Sequence, residues 1–517
     1  MLNELKQTLM NENNNVAITE NGAVMYETTG KNILDLMWKV PSFRSIGKGK
    51  ISSEIENQLT RSYYENKEVF AKFLFYLRDV RGGMGERNTF RNFYLWYAGQ
   101  DKPNALNLMK WLPEYGRWDD LVWMVSHAED KDVKECCAKL LVVQFGNDIN
   151  SENPSLLGKW LPSVNAGKES KKEAKRLLKV FSSVGFDIKE SEYRKCLAKL
   201  RKKIDIVETH IAEKDYSTID YERVPSVANV YYKDMFLKYD GYRREKYLES
   251  LASGNAKINA SAVFPHDIYR KVLYRSYAVE DQTLEQMWKN LPDFVNGKDG
   301  VLVVRDGSDS MLTKLPNSNV TALDVASALC IYFAERLSGE FKNKFITFSS
   351  RPQLVELDNC TTLMAKKKLL NCYDDCSNTD IEATFDLILE TAVSHNMKQE
   401  DLPSAVLIVS DMEFDGATTM WSWNISSREL ELKYVNLFKV IEAKFAGKGY
   451  KMPKLVFWNV CSRTNAIPVT QNEYGVVLVS GFSVNICKMV LTNKLDPYKA
   501  LLEQLYSPRY ENIKLLE

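Results

Sequence analysis

Apolar positions follow two different periodicities along this chain, and the change comes near residue 295. From about residue 31 to 290 they recur at three and four spacing, as amphipathic helices require. "SSEIENQLTRSYYENKEVFAKFLFYLRDV", "NALNLMKWLPEYGRWDDLVWMV", "DVKECCAKLLVVQFGNDI", "SEYRKCLAKLRKKIDIVETHIAE" and "RREKYLESLASG" each carry one apolar face. In "RGGMGERNTFRNFYLWYAG" the Gly82-Gly83 break ends one helix and the next begins near Glu86. These lengths and short connections predict stacked helix pairs, an all-helical solenoid-like module over residues 1–295, although no strict sequence period repeats.

After "NLPDFVNGKDG" the pattern changes. Short apolar, β-branched runs ("GVLVVRD", "KFITFSS", "PQLVEL", "SAVLIVSD", "KLVFWNV", "GVVLVSG") alternate with helical stretches such as "TALDVASALCIYFAERL" and "DIEATFDLILETAVSH". Runs that are apolar throughout predict parallel strands buried on both faces, so residues 296–517 should form a doubly wound α/β domain. Ligands of such domains gather at the carboxyl ends of the strands.

The 517-residue length suits two or three domains, and 45% hydrophobic with 26% charged residues marks a globular chain. A formal net charge of +1 excludes bulk attraction to nucleic acid, so any such binding must be local. Nine scattered cysteines, mostly within apolar runs, read as reduced thiols. "CYDDC" at 372–376 has no second Cys/His pair to complete a zinc site. The polar "MLNELKQTLMNENNN" lacks a signal-peptide core and no apolar run reaches about 18 residues, so a cytoplasmic location is expected.

Three oxygen-rich features fall at strand ends. Asp306, Ser308 and Ser310 follow the first strand in "VLVVRDGSDSM"; Thr379 precedes a helix in "SNTDIEATF"; Asp411 ends "SAVLIVSD". All are hard donors, and their number suits a six-coordinate Mg²⁺ or Mn²⁺ with water completing the shell. A site with few carboxylates stays electrophilic and can accept an acid from a protein partner. The plain alternative is helix N-capping by Asp and Thr.

A second feature is a basic segment. Lys159, Lys171, Lys172, Lys175, Arg176, Arg194, Lys199, Arg201 and Lys202, followed by Arg243 and Arg244, outnumber the acids around them, with Trp160, Tyr193 and Tyr242 interleaved. Clustered cations beside rings are the footprint of a surface for structured or single-stranded RNA. A solvated helix face has the same composition.

Asp306-x-Ser308-x-Ser310, then Thr379, then Asp411 resembles the metal-ion-dependent adhesion site of von Willebrand factor A domains in order and gaps. The resemblance implies that the two serines and the threonine bind the cation directly or through water and the two aspartates complete the site. Asp309 stands where that family commonly has Gly, and Glu413 and Asp415 in "SDMEFD" add negative charge nearby. A helical-repeat module, HEAT-like in kind, before such a domain resembles the Ro ribonucleoprotein class with its TROVE module, which implies RNA binding. "FYLRDVRGGMGERNTFR", "LPEYGRWDDL", "GKWLPS", "EYRKCLAKLR", "IDYERVPSVA", "AVFPHDIY" and "LIVSDMEFD" are similar to a large family of plants, bacteria and large viruses with the same two-part layout.

Enzymatic readings find little support. "RGGMGER" lacks the Gly-Lys-Ser/Thr ending of a phosphate loop and follows a helix, not a strand. His127, His210, His266 and His395 form no visible catalytic constellation. The expectation is a non-enzymatic RNA-binding or ribonucleoprotein-type scaffold with a Mg²⁺-dependent protein contact. The alternative is a protein–protein adaptor, or a viral or phage assembly component, without RNA.

Overall fold

The computed structural model describes residues 15, 17–22, 24–46, 51–273, 280–295, 300–374, 379–414, 437–468, 475–486, 489 and 496–516. Cys376 and Asp415 of the motifs above lie outside them. The chain divides into two compact units, each discontinuous in sequence.

The helical unit comprises residues 48–51, 71–262 and 508–517. Its helices include α1 (Lys67–Arg78, which enters the unit at residue 71), α2 (Asn88–Gln100), α3 (Trp118–His127), α4 (Lys131–Asn150), α5 (Lys168–Ser183), α6 (Glu190–Ile204) and α7 (Ser226–Ala252). α5 buries Ala174, Leu177 and Phe181, and α6 buries Tyr193, Leu197 and Leu200, the spacing that gives each helix one apolar stripe. Both stripes pack on α4, where the Phe145 ring lies 6.0 Å from that of Tyr193. After α1 the glycine loop folds back on the helix: Met84 N–H donates to Tyr76 O and Glu86 N–H to Leu77 O. A Cβ on Gly83 would stand 2.0 Å from Tyr76 O, so this approach admits glycine alone. The 508–516 segment joins the unit through Lys72 Nζ on Tyr510 O (2.8 Å) and Arg509 on Asp79 (2.8 and 3.0 Å).

The second unit holds the sheet: β3 (Val301–Asp306), β4 (Lys344–Phe348), β5 (Leu354–Glu356), β6 (Ala405–Ser410), β7 (Lys454–Asn459) and β8 (Val476–Ser480). The spatial order is β5-β4-β3-β6-β7-β8, parallel except for β5, which runs antiparallel on β4. Every residue of β3 and β6 is buried, which is why both read as unbroken apolar runs. From β3 the chain winds one way to β4 and β5, then from β6 the other way to β7 and β8. The adjacent carboxyl ends of β3 and β6 are therefore the switch point where a doubly wound sheet opens a crevice. Helices α8 (Ala322–Arg336) and α9 (Ile381–Ser394) start from the caps Thr321 and Asp380.

The helical and α/β grammars are both present as expected, but compactness does not divide the chain at a single point near 295. The sheet-bearing unit also takes in residues 1–47, 52–70 and 263–295. It contains a small hairpin, β1 (Ala17–Ile18) with β2 (Val24–Met25), so the N-terminal region is not purely helical. Tyr26 bridges to Ile467, and the fully buried Trp38 donates Nε1–H to Ala466 O at 3.0 Å. Its own carbonyl accepts Asn459 Nδ2 (3.0 Å) and Ser480 Oγ (2.9 Å) at the ends of β7 and β8. Local periodicity cannot reveal such docking, because the partner lies more than 400 residues away. Among the described residues no helix is long and apolar enough to cross a membrane.

Candidate functional site

At the switch point, hydrogen bonds join four of the five expected oxygen ligands. Asp306 ends β3, and its Oδ1 accepts the Ser308 N–H at 2.9 Å while Oδ2 accepts Ser410 Oγ at 2.6 Å. Ser308 Oγ and Ser310 Oγ lie 3.0 Å apart, and the Ser310 hydroxyl also bonds Asp411, the first residue after β6. Asp411 Oδ1 accepts the Glu413 N–H at 3.2 Å, and Oδ2 accepts Arg463 Nη1 at 2.9 Å. Thr379 is buried one position before the cap Asp380, whose carboxylate accepts the Ala383 N–H.

Both aspartates are 1% exposed. Burial raises the pKa of each, and for Asp411 the nearby charge of Asp306 pushes the same way while Arg463 opposes it. The donor set fits a small divalent cation. Two carboxylates that repel each other would be relieved by it, and adjacent oxygens around octahedral Mg²⁺ stand about 3 Å apart, as the two serine hydroxyls do. Asp306, Ser308, Ser310 and Asp411 would hold it. The set is poor in charge: among the described residues no group of three or more His, Cys, Asp or Glu is placed to hold a metal.

Two acids expected nearby are placed differently from each other. Asp309 is exposed, outside this hydrogen-bonded set. Glu413 is 1% exposed and engaged in a turn: its carboxylate accepts N–H groups of Glu20, Arg463 and Thr464 and the hydroxyls of Ser462 and Thr464. Between Asp411 and Glu413, Met412 takes φ +63°, a region unusual for a bulky side chain. Its N–H on Ser410 Oγ (2.9 Å) helps hold it there.

On the helical unit, Lys171, Lys172 and Arg176 of α5 and Arg194, Lys199 and Lys202 of α6 are exposed on the sides opposite the buried stripes. None of the six enters an ion pair among the described residues, whereas Lys175 reaches Glu190 at 3.7 Å. Residues 168–203 hold 13 lysines and arginines against 5 acids, so the excess is local and strong.

Four residues expected on this surface serve the fold. Lys159 pairs with Glu208 at 3.0 Å. Arg201 spans the 158–163 loop, donating to Gly158 O, Leu161 O and Ser163 Oγ. Arg243 donates to Tyr216 O, Ile219 O and Asp240. Arg244 is fully buried, 4.8 Å from the Tyr221 ring centre and 5.1 Å from that of Tyr247. Tyr193 is likewise core, its hydroxyl on Pro162 O, so of the interleaved rings only Tyr242 is broadly exposed.

A family model described as a domain of unknown function, DUF2828, matches residues 19–177 and 168–297, more than half of the chain. The chain belongs to the DUF2828 family. A second model, the domain of unknown function DUF7788, matches residues 301–505. The uncharacterized protein L728 of Acanthamoeba polyphaga mimivirus is 27% identical to this DUF2828 chain, over 95% of the chain and 87% of the relative. Among solved structures, the RO (RSR) protein of Deinococcus radiodurans is similar at 12% identity and a TM-score of 0.43, covering 88% of this chain and 94% of that one.

Three residues of the DUF2828 chain's polar centre were missed from sequence. Ser410 holds Asp306, and Arg463 neutralises Asp411 while also bonding Ser310 O, Thr313 and Glu20. Arg305, 1% exposed, donates to Ser327 Oγ and pairs with Asp374. The one available signal was the pair of polar residues, Arg305 in "VVRD" and Ser410 in "IVSD", inside otherwise apolar strands.

Proposed function

We propose that this protein is a non-enzymatic RNA-binding scaffold whose helical unit holds the RNA backbone on the exposed face of α5 and α6. The observation that carries this reading is the set of six exposed cations, Lys171, Lys172, Arg176, Arg194, Lys199 and Lys202, without acidic partners among the described residues. Cations packed this densely repel one another, and a polyanion relieves that repulsion while releasing its counterions. In the same reading the β3–β6 centre is a von Willebrand A-like site that takes Mg²⁺ or Mn²⁺ on Asp306, Ser308, Ser310 and Asp411, with Thr379 as a further ligand. The ion would supply a Lewis-acidic position for a carboxylate of a protein partner.

The test is a quadruple substitution, Lys171→Glu, Lys172→Glu, Lys175→Glu and Arg176→Glu, followed by filter binding of RNA at moderate salt. Retention should be lost with the circular dichroism spectrum unchanged; undiminished retention removes the RNA half of the reading. A second reading, prompted by the viral source of one relative, is a protein–protein adaptor or a viral or phage assembly component without RNA. It expects purified protein free of nucleic acid by absorbance ratio and partner capture that fails in Asp306→Ala.

A further inference from the structure

Three of the stretches that carry the family resemblance, "RGGMGERNTFR", "GRWDDL" and "GKW", meet in the helical unit around a knot of arginines. At its centre the Asp120 carboxylate, with no exposure, accepts Arg78 Nε (2.8 Å), Arg91 Nε (2.7 Å) and the Arg117 backbone N–H (3.0 Å). Asp119 accepts Arg91 Nη2 at 2.8 Å. A Cβ on Gly116 would stand 2.3 Å from Asp120 Oδ2 and 2.9 Å from Arg78 Nε, so glycine is required for this pairing to close.

The charges do not balance. Four guanidinium groups, Arg78, Arg87, Arg91 and Arg117, share two carboxylates, and the two inner arginines take the hydrogen bonds. Arg87 approaches Asp119 only to 3.8 Å, and its side chain, 42% exposed, makes no hydrogen bond among the described residues. The Arg117 guanidinium lies 5.2 Å from the centre of the Trp160 ring and makes neither an ion pair nor a hydrogen bond among the described residues. Burial, together with neighbouring arginines, lowers the pKa of both below the ordinary guanidinium value. These are two half-buried cations with unused donor forks that feel the same two aspartates, an arrangement suited to an anion.

We propose that Arg87 and Arg117 bind a phosphate group, as inorganic phosphate or as the terminal phosphate of a larger ligand. Guanidinium forks match its tetrahedral oxygens in a bidentate manner, and Trp160 holds one fork in place by stacking. The site uses side chains, so it needs no phosphate loop from the glycines of "RGGMGER". It shares no residue with the α5–α6 face and does not depend on that reading.

The test titrates the full chain with inorganic phosphate in chloride buffer of matched ionic strength, following Tm. Phosphate should raise Tm of the wild type. R87Q and R117Q should lose that shift, yet show a Tm in chloride equal to or above the wild type, because each removes an unbalanced charge. The quadruple lysine variant should keep the shift. A wild type unmoved by phosphate, or R87Q and R117Q shifting as the wild type does, overturns the proposal. Equilibrium dialysis of radiolabelled phosphate decides the same question if one variant folds poorly. A 5′-phosphorylated oligoribonucleotide binding about ten-fold tighter than its 5′-hydroxyl counterpart, with the ratio falling to one in R117Q, identifies an RNA end as the source. Equal binding of the two, with the phosphate shift intact, identifies a small phosphorylated ligand.

Discussion

The two units handle buried charge in opposite ways. At the β3–β6 centre two aspartates crowd together, and Arg463 beside Asp411 with Arg305 beside Asp306 offsets part of their charge. In the helical unit four arginines crowd around two aspartates, and the excess is positive. A folded chain tolerates such residues only where a ligand, a second charge or solvent compensates them. Under the two proposals, each imbalance would be relieved by a ligand of opposite sign: a cation at the sheet, an anion among the helices.

The contrast breaks most violently at Asp120. Asp120→Ala leaves Arg78 buried without its partner and should cost about 3–5 kcal/mol by chemical denaturation. Asp411→Asn removes a repulsive neighbour of Asp306, and Arg463 keeps Glu20, so in metal-free buffer the loss should stay under about 1 kcal/mol. Comparable losses in the two variants would show that the imbalances are not opposite.

A pH series sharpens the comparison from the sheet side. His266 is 4% exposed and burial lowers its pKa to about 4; Asp267, Arg44, Asp324 and Arg270 are the charges that act on it. The unfolded chain takes up this proton first, so stability is full above about pH 6.5, falls as pH drops, and has lost about 3 kcal/mol near pH 4. His266→Gln should flatten that window relative to the wild type, and parallel curves for the two proteins would refute it.

Smaller effects separate the proposed ligands. Saturating Mg²⁺ should add up to about 2–3 kcal/mol of stability at a hundred-fold excess over its dissociation constant, and Ser308→Ala with Ser310→Ala should abolish the gain. Each Lys→Gln change at Lys171, Lys199 or Lys202 should reduce the log–log salt slope of single-stranded RNA binding by about 0.7. A slope unaltered by all three places the RNA elsewhere.

The strands were legible because β3 and β6 are apolar on both faces, and so was the cluster of Asp306, Ser308, Ser310 and Asp411, since strand ends fix where such residues go. Basic residues were less legible. A run such as "AKLRKK" gives no sign that Arg201 turns inward to three loop oxygens while Lys199 and Lys202 face water. Arg87 and Arg117 were hidden for a different reason: the stretch of Arg87 was read for its glycines and that of Arg117 for its apolar face, while the charges that meet come from separate segments. Trp38 was counted with the helices because its local pattern is helical, although its partners lie at the far ends of β7 and β8.

That docking sets a schedule for the ribosome. Trp38 emerges first and must wait 428 residues for Ala466, while Lys72 waits 438 for Tyr510. At ordinary translation speeds the delay is roughly 20–90 s, during which the helix around Trp38 has only near neighbours such as Gln58 and Ser62, which donate to the Asn32 carbonyl. Each unit draws segments from both sides of residue 295, so a single cut there yields two pieces that each lack a part.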